Sequence, residues 1–179
     1  RIPGMHNVEN TMAAVAALEG LVPHDVMAKV AREFSGVEHR LEEVRILDGV
    51  RYINDSIGTS PTRTEAGLGC FEGPLVLIAG GYDKQLPFDS LGKAIAGRVR
   101  LLLLCGVTAD KIEKPVRAAP GYTEGAPEIP RYDSLETLVS AARALSQPGG
   151  TVLFSPACAS FDQSQHVGQR GRSFHGLVN

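Results

Sequence analysis

The chain has 179 residues, one domain with a remainder at roughly 150 residues per domain. Hydrophobic residues make up 43% and charged residues 21%, and a chain this long buries roughly 70% of its unfolded surface. These values exclude disorder and any need for a disulfide or metal staple. Lys and Arg total 18 against 20 Asp and Glu, and the net charge of −2 gives no whole-chain drive toward nucleic acid or an anionic membrane.

The first residues, RIPGMHN, show no basic segment followed by an apolar one, so no signal peptide is expected. They do not begin on Met, so the chain is expected to start inside a longer product. Residues 8–20 carry Val8, Met12, Val15, Ala16 and Leu18 at helical spacing and predict a helix ending at Gly20. Asn7 and Asn10 share one face at its start, either as a pair of amides for a purine edge or ribose, or with Asn7 as a simple N-cap. Pro23 and Asp25 open a second helix that runs to about Phe34. This hairpin has no sheet to pack on and reads as the tail of a preceding domain.

Residues 35–41, SGVEHRL, read as a linker that contains Arg40, suited to bidentate phosphate contacts or simply solvated. Glu43–Leu47 and Val50–Asn54 then flank Asp48-Gly49, a strong hairpin signal. Beyond them, helical segments are expected near 60–70, 88–97, 108–118, 134–145 and 165–177. Strands are expected at Leu75–Ala79, Val99–Cys105, near Ile129–Tyr132 and at Thr151–Phe154. The runs LVLIA, LLLLC and VLF are continuous rather than alternating, as in strands covered on both faces. The fold class is therefore α/β, a doubly wound, mostly parallel sheet preceded by a short helical hairpin. No apolar run approaches the ~18 residues of a membrane-spanning helix. Residues 119–130, rich in Pro and Gly, read as a surface loop. Cys70, Cys105 and Cys158 have no zinc-site spacing and are expected to be reduced, buried thiols of a cytoplasmic protein.

Ligands of such sheets bind at the carboxyl ends of the strands. Three of those ends are polar: NDSIGTSP at 54–61, GGYDK at 80–84 and SPACAS at 155–160. Each has a plainer explanation. Ser60-Pro61 fits an N-cap and first helical residue, Gly80-Gly81 a tight turn, Lys84 a solvated charge, and Ser155 or Ser160 a cap for the last helix. No GxGxxG follows the first strand, and no GxxxxGK[ST] or GxSxG occurs anywhere. A phosphate cradle would have to come from elsewhere.

Read together, GMHNVEN (4–10), EHR (38–40), NDSIGTSPTRT (54–64), LIAGGYDK (77–84), SPACASFDQ (155–163) and QRGRSF (169–174) resemble the C-terminal part of the Mur ligase family, on its D-glutamate-adding branch. The resemblance covers nearly the whole chain. It implies a Rossmann-like domain over 37–179, preceded over 1–36 by the last helices of a central ATPase domain, with the linker as a hinge. It implies an ADP-forming amide ligase that uses ATP and Mg2+, D-glutamate and UDP-N-acetylmuramoyl-L-alanine, and acts as a cytoplasmic monomer. By position, Asn7, Asn10, Arg40 and Asp55 resemble ATP contacts, and Thr59, Lys84, Ser160 and Phe161 resemble D-glutamate contacts. No catalytic residue and no metal ligand is assigned within this chain, which is expected to be inactive alone. Two departures from the family pattern are Ile57, where many relatives have Lys, and Ser164–Val167, where phenylalanines are common. A stand-alone Rossmann-like binding module and a ligase for another amino acid remain alternatives.

Overall fold

The computed structural model describes residues 2–160 and 167–179. Two helices, α1 (Met5–Leu18) and α2 (His24–Glu33), lead into a five-stranded sheet. Among their described side chains only Met27 is buried, as expected of a hairpin without a sheet beneath it. The amide of Asn7 donates to Pro3 O at 2.6 Å, and Gly4 holds the N-cap position. Asn7 is therefore inside the first turn and is not the cap.

Strands β1 (Glu42–Leu47) and β2 (Val50–Asn54) form the expected hairpin. Asp48 and Gly49 both take positive φ, 51° and 76°, the turn geometry that matches the twist of an antiparallel pair. The remaining strands, β3 (Leu75–Gly80), β4 (Val99–Cys105) and β5 (Thr151–Phe154), are parallel to β2, and the spatial order is β1-β2-β5-β3-β4. Helices α3 (Pro61–Leu68), α4 (Asp89–Arg98) and α5 (Ala109–Arg117) contribute Leu68, Leu91, Ile95, Ile112 and Val116 to one core. Helices α6 (Leu135–Leu145) and α7 (Val167–Val178) contribute Leu138, Ala142, Phe174 and Val178 to the other. Leu75, Leu77 and Ala79 point into the first core, and Val76 and Ile78 into the second. Burial on both faces is why these strands are apolar without alternation.

The segment near Ile129–Tyr132 is not a strand. It runs beside β4 through isolated bridges at Glu128 and Arg131. The amides of Leu102 and Leu104 donate to Glu128 and Pro130, and those of Glu128 and Tyr132 donate back to β4. Pro130 has no N–H, so the ladder lacks the bond that would join these two halves. Cys105 and Cys158 are buried as expected, whereas Cys70, just past α3, is only half-buried.

Phe174 is fully buried and stacks on Phe154 with ring centroids 4.7 Å apart, which locks α7 to the centre of the sheet. Phe174→Ala should lower stability by about 3–5 kcal/mol in urea denaturation. A loss below about 1 kcal/mol would show that α7 is not seated there.

Candidate functional site

With β5 between β2 and β3, the exits of the three strands lie side by side. The amide of Asp55 donates to Phe154 O at 2.8 Å, that of Gly80 to Pro156 O at 2.9 Å, and that of Ala157 to Gly58 O at 2.9 Å. The polar segments 54–61, 80–84 and 155–160 thus form one stitched rim. Arg170 on α7 is buried and donates to Ser56 O, Cys158 O and Ala159 O at 3.0, 3.1 and 3.2 Å. Thr108, at the exit of β4, accepts from Gly81 N–H at 3.0 Å and donates to Gly81 O at 2.9 Å.

Asp55 is 5% exposed and sits at the β2 exit. Its Oδ2 accepts from the Ser155 hydroxyl at 2.6 Å and its Oδ1 from Leu41 N–H at 3.3 Å. Ser155 is in turn 2.8 Å from the Thr64 hydroxyl. Ser155 is therefore tied to Asp55 and does not cap the last helix, which starts at Val167. Gly58 is needed for this packing, because a Cβ there would lie 2.4 Å from Asp55 Oδ2 and 2.6 Å from Ser155 Oγ. Burial pushes the Asp55 carboxyl up to about 6, against the hydrogen bonds from Ser155 and Leu41 and the nearby guanidiniums of Arg63 and Arg40. At neutral pH it remains largely an acceptor, fit for a pair of hydroxyls.

Asp55 lines a cavity of about 240 Å³ together with Asn10, Arg40, His6, Arg63 and Gly67. Three of the four expected nucleotide residues, Asn10, Arg40 and Asp55, therefore meet at one cavity. The fourth, Asn7, lines the adjoining cavity of about 760 Å³ between α1 and α2, which Asn10 and Arg40 also reach. An amide on α1, a guanidinium from the linker and a buried carboxylate suit the base, phosphate and ribose of a nucleotide.

At the neighbouring part of the rim, Lys84 Nζ donates to Thr59 O and Thr59 Oγ1, both at 3.1 Å. Two expected amino-acid contacts are thus in direct contact. Asp83 pairs with Lys111 rather than with Lys84, and the Lys111 ammonium holds its carboxyl below the usual range. Ser160 is buried and follows Ala159, whose carbonyl accepts from Tyr82 N–H at 3.0 Å, so it joins the same rim. Phe161 and residues 164–166 lie outside the described residues. Ser60 occupies the N-cap of α3 with Pro61 behind it, and its hydroxyl meets Thr62 Oγ1 at 3.3 Å. Among the described residues no group of three or more His, Cys, Asp or Glu side chains is placed to hold a metal ion. None of their helices is long and apolar enough to cross a membrane.

Sequence reasoning gave no part to Arg63, His6, Thr108 or Arg170. Arg63 had a usable signal, since with Ala66 and Gly67 it falls on one helical face just after the Asp55 loop. Thr108 follows a strand exit, as the other rim residues do. Arg170 lies in the QRGRSF motif, but its bonds to the carbonyls of distant loops leave no signal there.

Residues 39–158 match the family described as Mur ligase, glutamate ligase domain, and the chain belongs to that family. The UDP-N-acetylmuramoylalanine--D-glutamate ligase of Acetivibrio thermocellus is 49% identical over 180 residues, covering 99% of this chain and 39% of that protein. The enzyme of the same name from Clostridium botulinum strain Kyoto is 42% identical over 179 residues, covering 100% of this chain and 39% of that protein. The chain therefore spans about two fifths of the length of these relatives. Among solved structures, the UDP-N-acetylmuramoylalanyl-D-glutamyl-2,6-diaminopimelate--D-alanyl-D-alanyl ligase of Acinetobacter baumannii superposes with a TM-score of 0.65 at 18% identity, over 97% of this chain and 37% of that one. A Mycobacterium tuberculosis folylpolyglutamate synthase superposes with a TM-score of 0.63 at 16% identity, over 97% and 41%. At these identities the two structures show a shared fold.

The raised Asp55 value has a stability consequence. The folded state holds the proton to higher pH than the unfolded state does, so stability is greatest below the unfolded value and falls as pH rises through about 4 to 6. The drop attributable to Asp55 is on the order of 2–3 kcal/mol. Denaturant titrations from pH 4 to pH 7 should show a shallower decline for Asp55→Asn than for the wild type. Parallel declines would refute the burial argument.

Proposed function

We propose that the chain is the C-terminal portion of an ADP-forming ligase that joins D-glutamate to UDP-N-acetylmuramoyl-L-alanine in peptidoglycan precursor synthesis. Residues 1–36 belong to the end of a preceding ATPase domain, residues 37–179 form the amino-acid-binding domain, and the 35–41 linker is the hinge between them. The enzyme works as a cytoplasmic monomer with no nucleic-acid or membrane partner. The observation that carries this is the rim itself: the Thr59–Lys84 pair lies on the same stitched edge as the cavity lined by Asn10, Arg40 and Asp55. The named relatives, similar over the whole chain, support the choice of amino acid.

The reaction explains the arrangement. A carboxylate is a poor electrophile because oxide is a poor leaving group. ATP converts it to an acyl phosphate, the amine of D-glutamate attacks, and the tetrahedral intermediate expels phosphate. Two anionic substrates must come together, which requires cations and oriented donors. Arg40 serves the phosphates, Asp55 accepts from the ribose hydroxyls, and Asn7 and Asn10 hold the base. Lys84 gives its ammonium to a carboxylate of D-glutamate and is not a base, and Thr59, Ser160 and Phe161 complete that pocket. Mg2+ supplies charge neutralisation at the phosphates when bound, and its ligands belong to the preceding domain.

Phosphate release by the longer protein that contains this chain tests the proposal. Release should depend on ATP, on UDP-N-acetylmuramoyl-L-alanine and on D-glutamate. Preference for L-lysine or D-alanyl-D-alanine would overturn the substrate assignment, and the 179-residue chain alone should not ligate. Lys84→Ala should raise the KM for D-glutamate at least ~10-fold, the worth of one charge-assisted hydrogen bond, while the KM for ATP moves about twofold or less. Equal effects on both would remove Lys84 from the amino-acid site.

A further inference from the structure

Arg63 stands on α3, eight positions beyond Asp55, and its side chain is exposed. It is one of three residues, with Asn10 and Arg40, that line both the cavity of about 240 Å³ and the adjoining one of about 760 Å³. The smaller cavity falls short of the ~300 Å³ at which small-molecule sites usually begin, so it holds only part of a nucleotide. The rest must pass the residues that the two spaces share. Two of those three are guanidiniums. Ala66 and Gly67, one turn further along the same face of α3, also line the smaller cavity.

The electrostatics point the same way. A buried carboxylate in the wall of a nucleotide site repels phosphates, and the site binds a polyanion only where cations offset it. Of the two guanidiniums, Arg63 exerts the larger pull on the Asp55 carboxyl. It makes no salt bridge among the described residues, unlike Arg117 and Arg131, which are occupied by Glu113.

We propose that Arg63 is a second phosphate-binding residue, which with Arg40 flanks the phosphate chain of the nucleotide whose ribose meets Asp55. This rests on the nucleotide site proposed above and adds to it a specificity for the phosphorylated forms of the nucleoside. A guanidinium there makes charge-assisted, bidentate hydrogen bonds that an ammonium reproduces only in part.

Calorimetry on the longer protein tests this without relying on turnover. ADP and adenosine are titrated into the wild type, Arg63→Ala and Arg63→Lys, with thermal melts recorded for each. Arg63→Ala should weaken ADP binding about 10-fold, the worth of one charge-assisted hydrogen bond, and adenosine binding by less than about twofold. Arg63→Lys should recover part of the ADP affinity. In steady state, Arg63→Ala should raise the KM for ATP by a similar factor and leave that for D-glutamate unchanged. Equal losses for ADP and adenosine, or an unchanged ADP affinity, would overturn the assignment. A wild type that binds ADP but ligates another amino acid would overturn the substrate proposal and leave this one standing. A wild type that binds neither ADP nor adenosine would overturn both.

Discussion

One buried guanidinium holds the working edge of this domain together. Arg170 reaches from α7 under the strand exits and donates to the carbonyls of Ser56, Cys158 and Ala159. Those carbonyls belong to loops leaving two different strands, and the Ala159 carbonyl also accepts from Tyr82 on the loop leaving a third. Backbone carbonyls turned away from their own strands need donors, since an unpaired buried polar group costs about 1–3 kcal/mol. Arg170 and the neighbouring amides meet that need, and the Phe154 ring lies 6.0 Å below the guanidinium. The strand order makes this possible, because β5 lies between β2 and β3, so one side chain bonds the exits of β2 and β5 and the Ala159 carbonyl passes the link on to β3.

The loop between β2 and α3 then couples the two halves of the site. Its first residues fix Asp55 against Ser155 in the wall of the smaller cavity, and its later ones set Thr59 against Lys84. Gly58, between them, allows the close approach to the Asp55 carboxylate and the Ser155 hydroxyl. Neither half can shift far without pulling on the other. In the proposed ligase an activated carboxylate and an amine must come into register, and a short loop shared by both proposed binding regions supports that.

How much of this was legible in the sequence depends on the kind of interaction. The β1–β2 hairpin was, because Asp48-Gly49 encodes its turn locally. The parallel core was, because continuous apolar runs have few other uses. The edge beside β4 was misjudged, since Ile129–Tyr132 has strand composition and one missing N–H at Pro130 interrupts its ladder. Whether Asn7 caps α1 or offers its amide to a ligand stays open in the sequence, because an amide at the start of a helix looks the same whether it faces the backbone or a cavity. The cap alternative for Ser155 stays open likewise, since only the fold shows that its partner is Asp55, 100 residues earlier. Arg63 was within reach through helical spacing. The contacts of Arg170 were not, because carbonyls of distant loops leave no mark in a sequence.

The linker shows how the domain aims a residue that it does not bury. Arg40 is flanked by His39 and Leu41, both in the left-handed region at φ 64° and 47°. For side chains with a Cβ that conformation costs about 1–2 kcal/mol each. It persists only where the surroundings over-determine it. Here His39 N–H donates to Glu42 Oε2 at 2.9 Å, the Asn54 amide meets His39 Nδ1 at 3.0 Å, and Leu41 N–H donates to Asp55. Gly171 lies so close to His39 that a Cβ there would come within 2.6 Å of the ring. Both neighbours of Arg40 are thus bonded down to the exit of β2, and Arg40 is left to face the cavity that the buried carboxylate of Asp55 also lines. The hydrogen bonds on either side, strong enough to hold both neighbours in strained backbone, are the physical reason that the linker arginine is held at a defined position.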